Sequence, residues 1–261
     1  MSTSNTFVHI QYHVQDDGLA RIVIQRAPFN VLDIPTMEEI NVALDACAAN
    51  AKVKLLTITG AGEKAFSAGV EVADHTPDKV DRMIEVFHGI FRRLQRLQVP
   101  TIALVNGAAL GGGMELAIGC DMIVAAAGAK FGQPEIKLAV FPPIAAVLLP
   151  RLVPPARAME ILLGGENFTA EEALSMGLVN RVFPRESFAA DAQAFVQPYL
   201  QLSTAALRSA RKAMRAAADH PFEAALQAAE KIYLQELMNT ADAKEGLNAF
   251  LEKRKPVWTH A

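Results

Sequence analysis

The chain has 261 residues, with 28 Asp+Glu against 25 Lys+Arg and a formal net charge of -3 when its 6 His are neutral. That near balance argues against a nucleic-acid binder, whose phosphate contacts call for a clear basic excess or a basic stripe, and 51% hydrophobic against 20% charged residues excludes disorder and a fibrous architecture. The only two cysteines, Cys47 and Cys120, stand far apart and in no metal-ligand spacing, which argues against a disulfide framework or a structural zinc and fits a reducing compartment.

Residues 1–20 hold no basic segment followed by an apolar block, so no secretory signal is expected and a cytoplasmic location is. Val8, Ile10 and Tyr12 alternate, and Ala20 to Ile24 is β-rich, so two strands are predicted to join near Asp16-Asp17-Gly18. Met37, Ile40 and Leu44 follow helical spacing after Pro35, a residue tolerated in a first turn. Val53 to Thr59 reads as a strand, and Val80, Met83, Ile84, Phe87, Phe91 and Leu94 as a helix that stops before Pro100. A buried strand Thr101 to Val105, a short helix Gly111 to Gly119 and a strand Met122 to Ala126 follow. The stretch from Thr101 to Ala127 is apolar enough to mimic a membrane span, but five glycines with Asn106, Glu115 and Asp121 suit a globular core instead. No membrane partner is expected.

This alternation of strand and helix predicts an α/β fold with a mainly parallel sheet between helices. After Pro143 strand signals thin out. Thr169 with Glu172 makes a capping box for a helix that Gly177 ends, and Leu178 to Phe183 is one more strand. Beyond Pro184 the pattern is helical, with Phe222, Leu226, Ile232, Leu237, Leu247, Phe250 and Leu251 forming apolar stripes. These divide the chain into a core domain over 1–200 and a helical oligomerisation region over 201–261. The stripes are too extensive for a small appendage to cover, so a homo-oligomer is expected. The sequence itself displays no internal repeat.

The chemistry concentrates in Asn106 to Leu116, where a strand leads through Gly111-Gly112-Gly113 into a helix. The first amides of a helix lack internal partners and can hold an anionic oxygen. The spacing does not fit GxGxxG or a P-loop, and on the triplet alone a packing device is the simpler reading. Glu115, however, lies inside the most apolar part of the chain, where an ionised carboxylate is costly unless it is used. A second loop, Lys64-Ala65-Phe66-Ser67-Ala68-Gly69-Val70-Glu71, follows a strand and can bring another amide to the same crevice, and Glu135 follows in Phe131-Gly132-Gln133-Pro134-Glu135. Ser67 lacks a GxSxG elbow and reads as a plain loop serine; His75 and His88 read as a loop and a helix-surface residue.

These segments, with Thr169 to Val182 and the closing Glu245 to Arg254, resemble the enoyl-CoA hydratase/isomerase family, the crotonase superfamily, over nearly the whole chain. The resemblance implies a crotonase-like spiral of ββα units with a helical C-terminal trimerisation region, assembled as a trimer or a dimer of trimers and binding acyl-CoA thioesters. It implies that Ala68 and Gly112 supply the two amides of an oxyanion hole and that Glu115 and Glu135 are the paired glutamates of the hydratases. Coenzyme A, part of the substrate, is expected along Ser67, Ala68, Gly69, Val70 and Glu71 and the loop at Arg26 and Pro28, with no further cofactor and no metal. Glu71 stands where the family often has Asp.

Adding water to a double bond conjugated with a thioester puts negative charge on the carbonyl oxygen, which fixed amides stabilise, while one carboxyl takes a proton from water and another delivers one to carbon. Glu115 is expected to orient or deprotonate water and Glu135 to serve the α-carbon, the two sharing these tasks. Where many hydratases have Pro-Gly-x-Gly-Gly, this chain has Val140-Phe141-Pro142-Pro143-Ile144, so Phe141 and Ile144 are expected to line a stiffer acyl pocket. A ring or short branched acyl group follows, and the sequence is most similar to the cyclohexa-1,5-diene-1-carbonyl-CoA hydratase branch. A double-bond isomerase needs the same oxyanion hole but only one carboxylate, so both glutamates favour hydration. A non-catalytic acyl-CoA or RNA-binding scaffold is the alternative of another class; the balanced charge and two acids in apolar surroundings weigh against it.

Overall fold

The computed structural model describes residues 7–260 and divides them into two compact units. The first comprises the described residues up to Leu97 together with Thr101–Phe195; the second comprises Gln98–Pro100 and the described residues from Val196 onward.

In the first unit, β1 (Ile10–Val14) and β2 (Leu19–Ile24) pair antiparallel through the predicted turn, where Gly18 adopts φ 90°. Helix α1 (Ile34–Ala49) begins at Asp33, whose side chain accepts from Thr36 N, with Pro35 in the first turn. Next come β3 (Leu55–Gly60), β4 (Ala65–Ser67) and α2 (Val80–Arg96); then β5 (Thr101–Val105), β6 (Ala108–Leu110) and α3 (Gly112–Ile118). A third such set is β7 (Met122–Ala126), β8 (Lys130–Gly132), a 3₁₀ turn (Pro134–Leu138) and α4 (Pro143–Leu152). Strand, strand and helix therefore recur three times. The repeat escapes the sequence because its second strands are only three residues long, too short for a period-2 pattern.

Each set divides its strands between two sheets. The first strands build a six-stranded sheet in the order β1-β2-β3-β5-β7-β10, with β10 at Arg181–Phe183, and all its pairs but β1–β2 are parallel. The second strands build a four-stranded sheet, β4-β6-β8-β9, closed by β9 at Asn167–Thr169. Every residue of β5 is buried, as expected for a parallel strand covered on both faces, and Phe66, Ile22, Ile58 and Phe131 are fully buried in the core. The expected α/β class is thus present. Helix α5 (Pro155–Gly164) follows, then α6 (Ala170–Ser175), which starts at the predicted capping box: Thr169 accepts from Glu172 N while Glu172 accepts from Thr169 N. Helix α7 (Phe188–Leu200) ends in the second unit.

The second unit is helical: α8 (Thr204–Ala217), α9 (Phe222–Lys231), a π turn (Ile232–Glu236) and α10 (Ala241–Leu251). Asp242 ties it together, accepting from Ser203 Oγ at 2.6 Å and from Thr259 N at 2.8 Å. Phe222, Phe250 and Leu251 remain largely exposed. Among the described residues no helix is long and apolar enough to cross a membrane, and no group of three or more His, Cys, Asp or Glu could hold a metal ion.

Candidate active site

The site lies wholly within the first unit. Strand β4 pairs with β6 at Ala65–Ala108 and Ser67–Ala109, through an irregularity, and so sets the loop after Ser67 beside the glycine triplet after Leu110. Each glycine of the triplet answers a different crowding. Gly111 has φ 53°, and a Cβ there would lie 2.6 Å from Glu135 Oε1. A Cβ on Gly112 would meet Val70 Cγ2 at 2.7 Å, and one on Gly113 would meet the Ser67 carbonyl oxygen at 2.1 Å. The triplet is thus both a packing device and the means by which a carboxylate and a second loop approach α3.

The structure corrects one member of the expected amide pair. Ala68 N–H donates to the Phe29 carbonyl at 2.9 Å and is not free to hold a substrate oxygen. The reason lies in the extended backbone at residues 68–71. Leu32 N–H donates to Gly69 O at 2.8 Å and Glu71 N–H to Leu32 O at 3.0 Å, so the peptide groups on either side of Val70 face Leu32. Val70 N–H turns the opposite way, toward α3, and its nitrogen lies 3.2 Å from the Cβ position of Gly112. Gly112 opens α3 and so has no intrahelical acceptor. Val70 and Gly112 therefore present the convergent amides. In the sequence Val70 reads only as one of several loop residues; Gly69, with φ 103°, marks the turn that aims its neighbour.

Glu115 stands one turn into α3 and is 2% exposed. Its Oε1 accepts from Ala145 N at 2.8 Å. Burial pushes its pKa up to about 8; the negative charge of Glu135 adds to the rise, and the Ala145 and Ile144 amides oppose it. Glu135 is half-buried on the 3₁₀ turn, and burial raises its pKa too. Gln133, fully buried, presents its side-chain NH₂ to both Glu135 oxygens at 3.2 and 3.1 Å in the amide orientation those neighbours require. The motif around Glu135 contains Gln133, but only the fold shows that its amide meets the carboxyl. The two acids expected to act together are thus close enough for one to sense the other's charge.

Other expected residues behave variously. Arg26 pairs with Asp33 at 3.1 Å and with Glu71 at 3.5 Å, at the partly exposed mouth of the loop that carries Pro28. Phe29 is exposed, with Lys64 Nζ 5.8 Å from its ring centre. Ser67, expected as a plain loop serine along coenzyme A, is instead the buried end of β4, its Oγ accepting from Gly69 N at 3.2 Å. His75 Nδ1 lies 3.1 Å from Glu71 O. Ile144 lines a cavity between α2 and α4 that neither Glu115 nor Glu135 lines, and Phe141, 66% exposed, does not line it, because the segment before Pro143 runs over the surface.

Comparisons with known proteins agree with this architecture. The family model described as enoyl-CoA hydratase/isomerase matches residues 15–261. Cyclohexa-1,5-dienecarbonyl-CoA hydratase of Thauera aromatica is 35% identical over 244 residues, covering 94% of each chain. Crotonyl-CoA hydratase of Syntrophomonas wolfei is 36% identical over 249 residues, covering 92% of this chain and 94% of the relative. The solved structure of an enoyl-CoA hydratase from Bacillus anthracis superposes with a TM-score of 0.93 at 30% identity, covering 97% of this chain and 100% of that one. With a family model matched over nearly its whole length and a fold shared with a solved hydratase, the chain belongs to the enoyl-CoA hydratase/isomerase family.

Proposed function

We propose that the protein is a hydro-lyase that adds water to, or removes it from, a conjugated enoyl- or cyclic dienoyl-CoA thioester. The observation that carries this reading is the convergence of two acceptor-free amides, Val70 and Gly112, with two carboxyls, Glu115 and Glu135, the charge of the second raising the pKa of the first. The thioester carbonyl accepts from both amides, and each such donor is worth ~10²–10³ in rate when charge develops on that oxygen. Burial favours the protonated form of Glu115 near neutral pH, so Glu115 enters the reaction as the acid that serves the α-carbon and Glu135 as the base that takes the proton of water, the reverse of the division expected from the sequence. Water adds its oxygen to the β-carbon while the ionised carboxyl takes its proton; the protonated carboxyl gives a proton to the α-carbon. Each transfer contributes ~10²–10⁴. After one addition the proton has moved from one glutamate to the other, so the pair as a whole is unchanged.

Two carboxyls in one crevice favour hydration over double-bond isomerisation, for which one suffices. The coenzyme A moiety runs along Gly69 to Glu71 and past Arg26 and Pro28, and no metal or further cofactor takes part. The 35% identity with the Thauera aromatica enzyme supports a cyclic dienoyl thioester as the acyl group. Phe222, Phe250 and Leu251, largely exposed in the C-terminal unit, support burial against further copies of the chain in a trimer or a dimer of trimers. Incubation with crotonyl-, cyclohexenoyl- and cyclohexadienoyl-CoA, with products weighed by mass spectrometry, tests the reading. A gain of one water is expected with at least one ester, most rapidly with the cyclic diene. Double-bond migration without a mass change would make the protein an isomerase.

A further inference from the structure

A helix begins with about four backbone N–H groups that have no acceptor in its own turns. In α4 the first intrahelical bond runs from Ala146 N–H to Pro142 O at 3.0 Å, so those positions are residues 142–145. Two of them are prolines, Pro142 at the cap and Pro143 in the first turn, and neither has an N–H to offer. The donors that remain belong to Ile144 and Ala145. Ala145 N–H donates to Glu115 Oε1 at 2.8 Å, and the Ile144 amide also favours the ionised form of Glu115. Every N–H that the opening of α4 possesses is therefore engaged with one carboxyl, which is itself buried.

A carboxylate at a helix opening is normally favoured, since several N–H groups and the helix dipole meet it together. Here the donors are reduced to two, and burial prevails over them. The charge that acts on Glu115 is the negative one of Glu135. Strands β4, β5, β6 and β7, packed on α3, carry no ionisable side chain. On α4 the single ionisable residue is Arg151, six residues beyond Ala145. Helix α2 meets α3 through Phe87 and Phe91, while its His88, Arg92 and Arg96 line the cavity between α2 and α4, which Glu115 does not line. Lys137, on the same turn as Glu135, pairs with Glu166 at 2.8 Å. The supply of N–H groups at the start of α4 is thus what limits the stabilisation of an ionised Glu115.

We propose that Pro143 is a positioning residue of the reaction: by withholding an N–H from the opening of α4 it leaves Glu115 short of partners for its ionised form, so that Glu115 and not Glu135 is the proton donor. This rests on the hydratase reading and names what divides the tasks of the two carboxyls. Glu135 meets the opposite provision, with the Gln133 NH₂ facing both of its oxygens.

Pro143→Ala restores the missing N–H, whereas N-methylalanine at position 143 lacks both the N–H and the ring. Infrared difference spectra of the full-length protein against Glu115→Gln, taken in each background without a thioester, isolate the protonated Glu115 carboxyl. The wild type is expected to lose that band near pH 8, Pro143→Ala at a pH lower by about one unit, and the N-methylalanine form at the wild-type pH. With the enoyl ester that turns over fastest, the alkaline fall of kcat is expected to move with the band while KM changes little, because an ionised Glu115 has no proton to deliver. Coincident titration of wild type and Pro143→Ala overturns the proposal, even with a lower melting temperature, since the proline would then serve stability alone. Equal shifts in both replacements overturn it in favour of the stiffness of the ring, and a band that moves without kcat overturns Glu115 as the donor. A wild type that hydrates no enoyl thioester ends the hydratase reading; the infrared titration, read without substrate, separately decides whether Pro143 governs the proton on Glu115.

Discussion

Glu115 Oε1 accepts a 2.8 Å hydrogen bond from the backbone N–H of Ala145, so the first turn of α4 holds a carboxyl that is 2% exposed on α3. Burial outweighs that bond and raises the pKa of Glu115 from 4.5 to about 8. The sign of the linked stability follows. Below pH 4.5 folded and unfolded chains both keep the proton. Between 4.5 and 8 the unfolded chain loses it while the folded chain retains it, so stability falls as pH rises and this contribution is gone above 8. Relative to Glu115→Gln, which cannot titrate there, the wild type is expected to lose of order a few kcal/mol across that window. Urea unfolding of both proteins at pH 5 and pH 9 measures it; parallel curves would contradict the raised value.

Glu115→Gln and Glu135→Gln are each expected to reduce hydration by ~10³ or more while leaving thioester affinity within a few-fold, because either change removes one proton transfer but little contact area. Loss of the enoyl-thioester absorbance follows the rate, and calorimetry the affinity. Full turnover by either variant would end the two-carboxyl mechanism.

The amides of Val70 and Ala68 can be separated by replacing each peptide N–H with an ester oxygen while keeping the side chain. At Val70 the expected result is a ~10²–10³ fall in kcat with an unchanged melting temperature. At Ala68, whose N–H holds Phe29 O, the expectation reverses: about 1 kcal/mol of stability lost and kcat nearly intact. The opposite pattern would restore Ala68 as the oxyanion donor.

Gly113→Ala places a methyl 2.1 Å from the Ser67 carbonyl oxygen, a backbone atom that cannot step aside. Overpacking of ~1–3 kcal/mol or more is expected, with a fall in both melting temperature and activity as β4 moves from α3. Thermal unfolding followed by circular dichroism checks it; an unaltered melting temperature would mean that the two elements are not in contact.

Periodicity and punctuation in the chain determine most of its long elements. The stripe from Met83 to Leu94 is α2, the apolar run Thr101–Val105 is β5, and the Thr169–Glu172 box opens α6, because each depends on neighbours in the chain. The glycine triplet with Glu115, and Gln133 with Glu135, marked the site for the same reason: special backbone and costly charge are visible locally. Tertiary structure decided what depends on contacts between distant segments. Which amide of the loop stays free was settled by Leu32, more than thirty residues earlier, pairing on either side of Val70, and by Phe29 engaging Ala68. That Arg92, Arg96 and Arg151 share one cavity, while Arg93 turns to Asp45, follows from the packing of α2 beside α4. Hydrogen-bond direction and charge clustering are properties of surfaces brought together in space, and a linear pattern carries them only where the partners are also near in sequence.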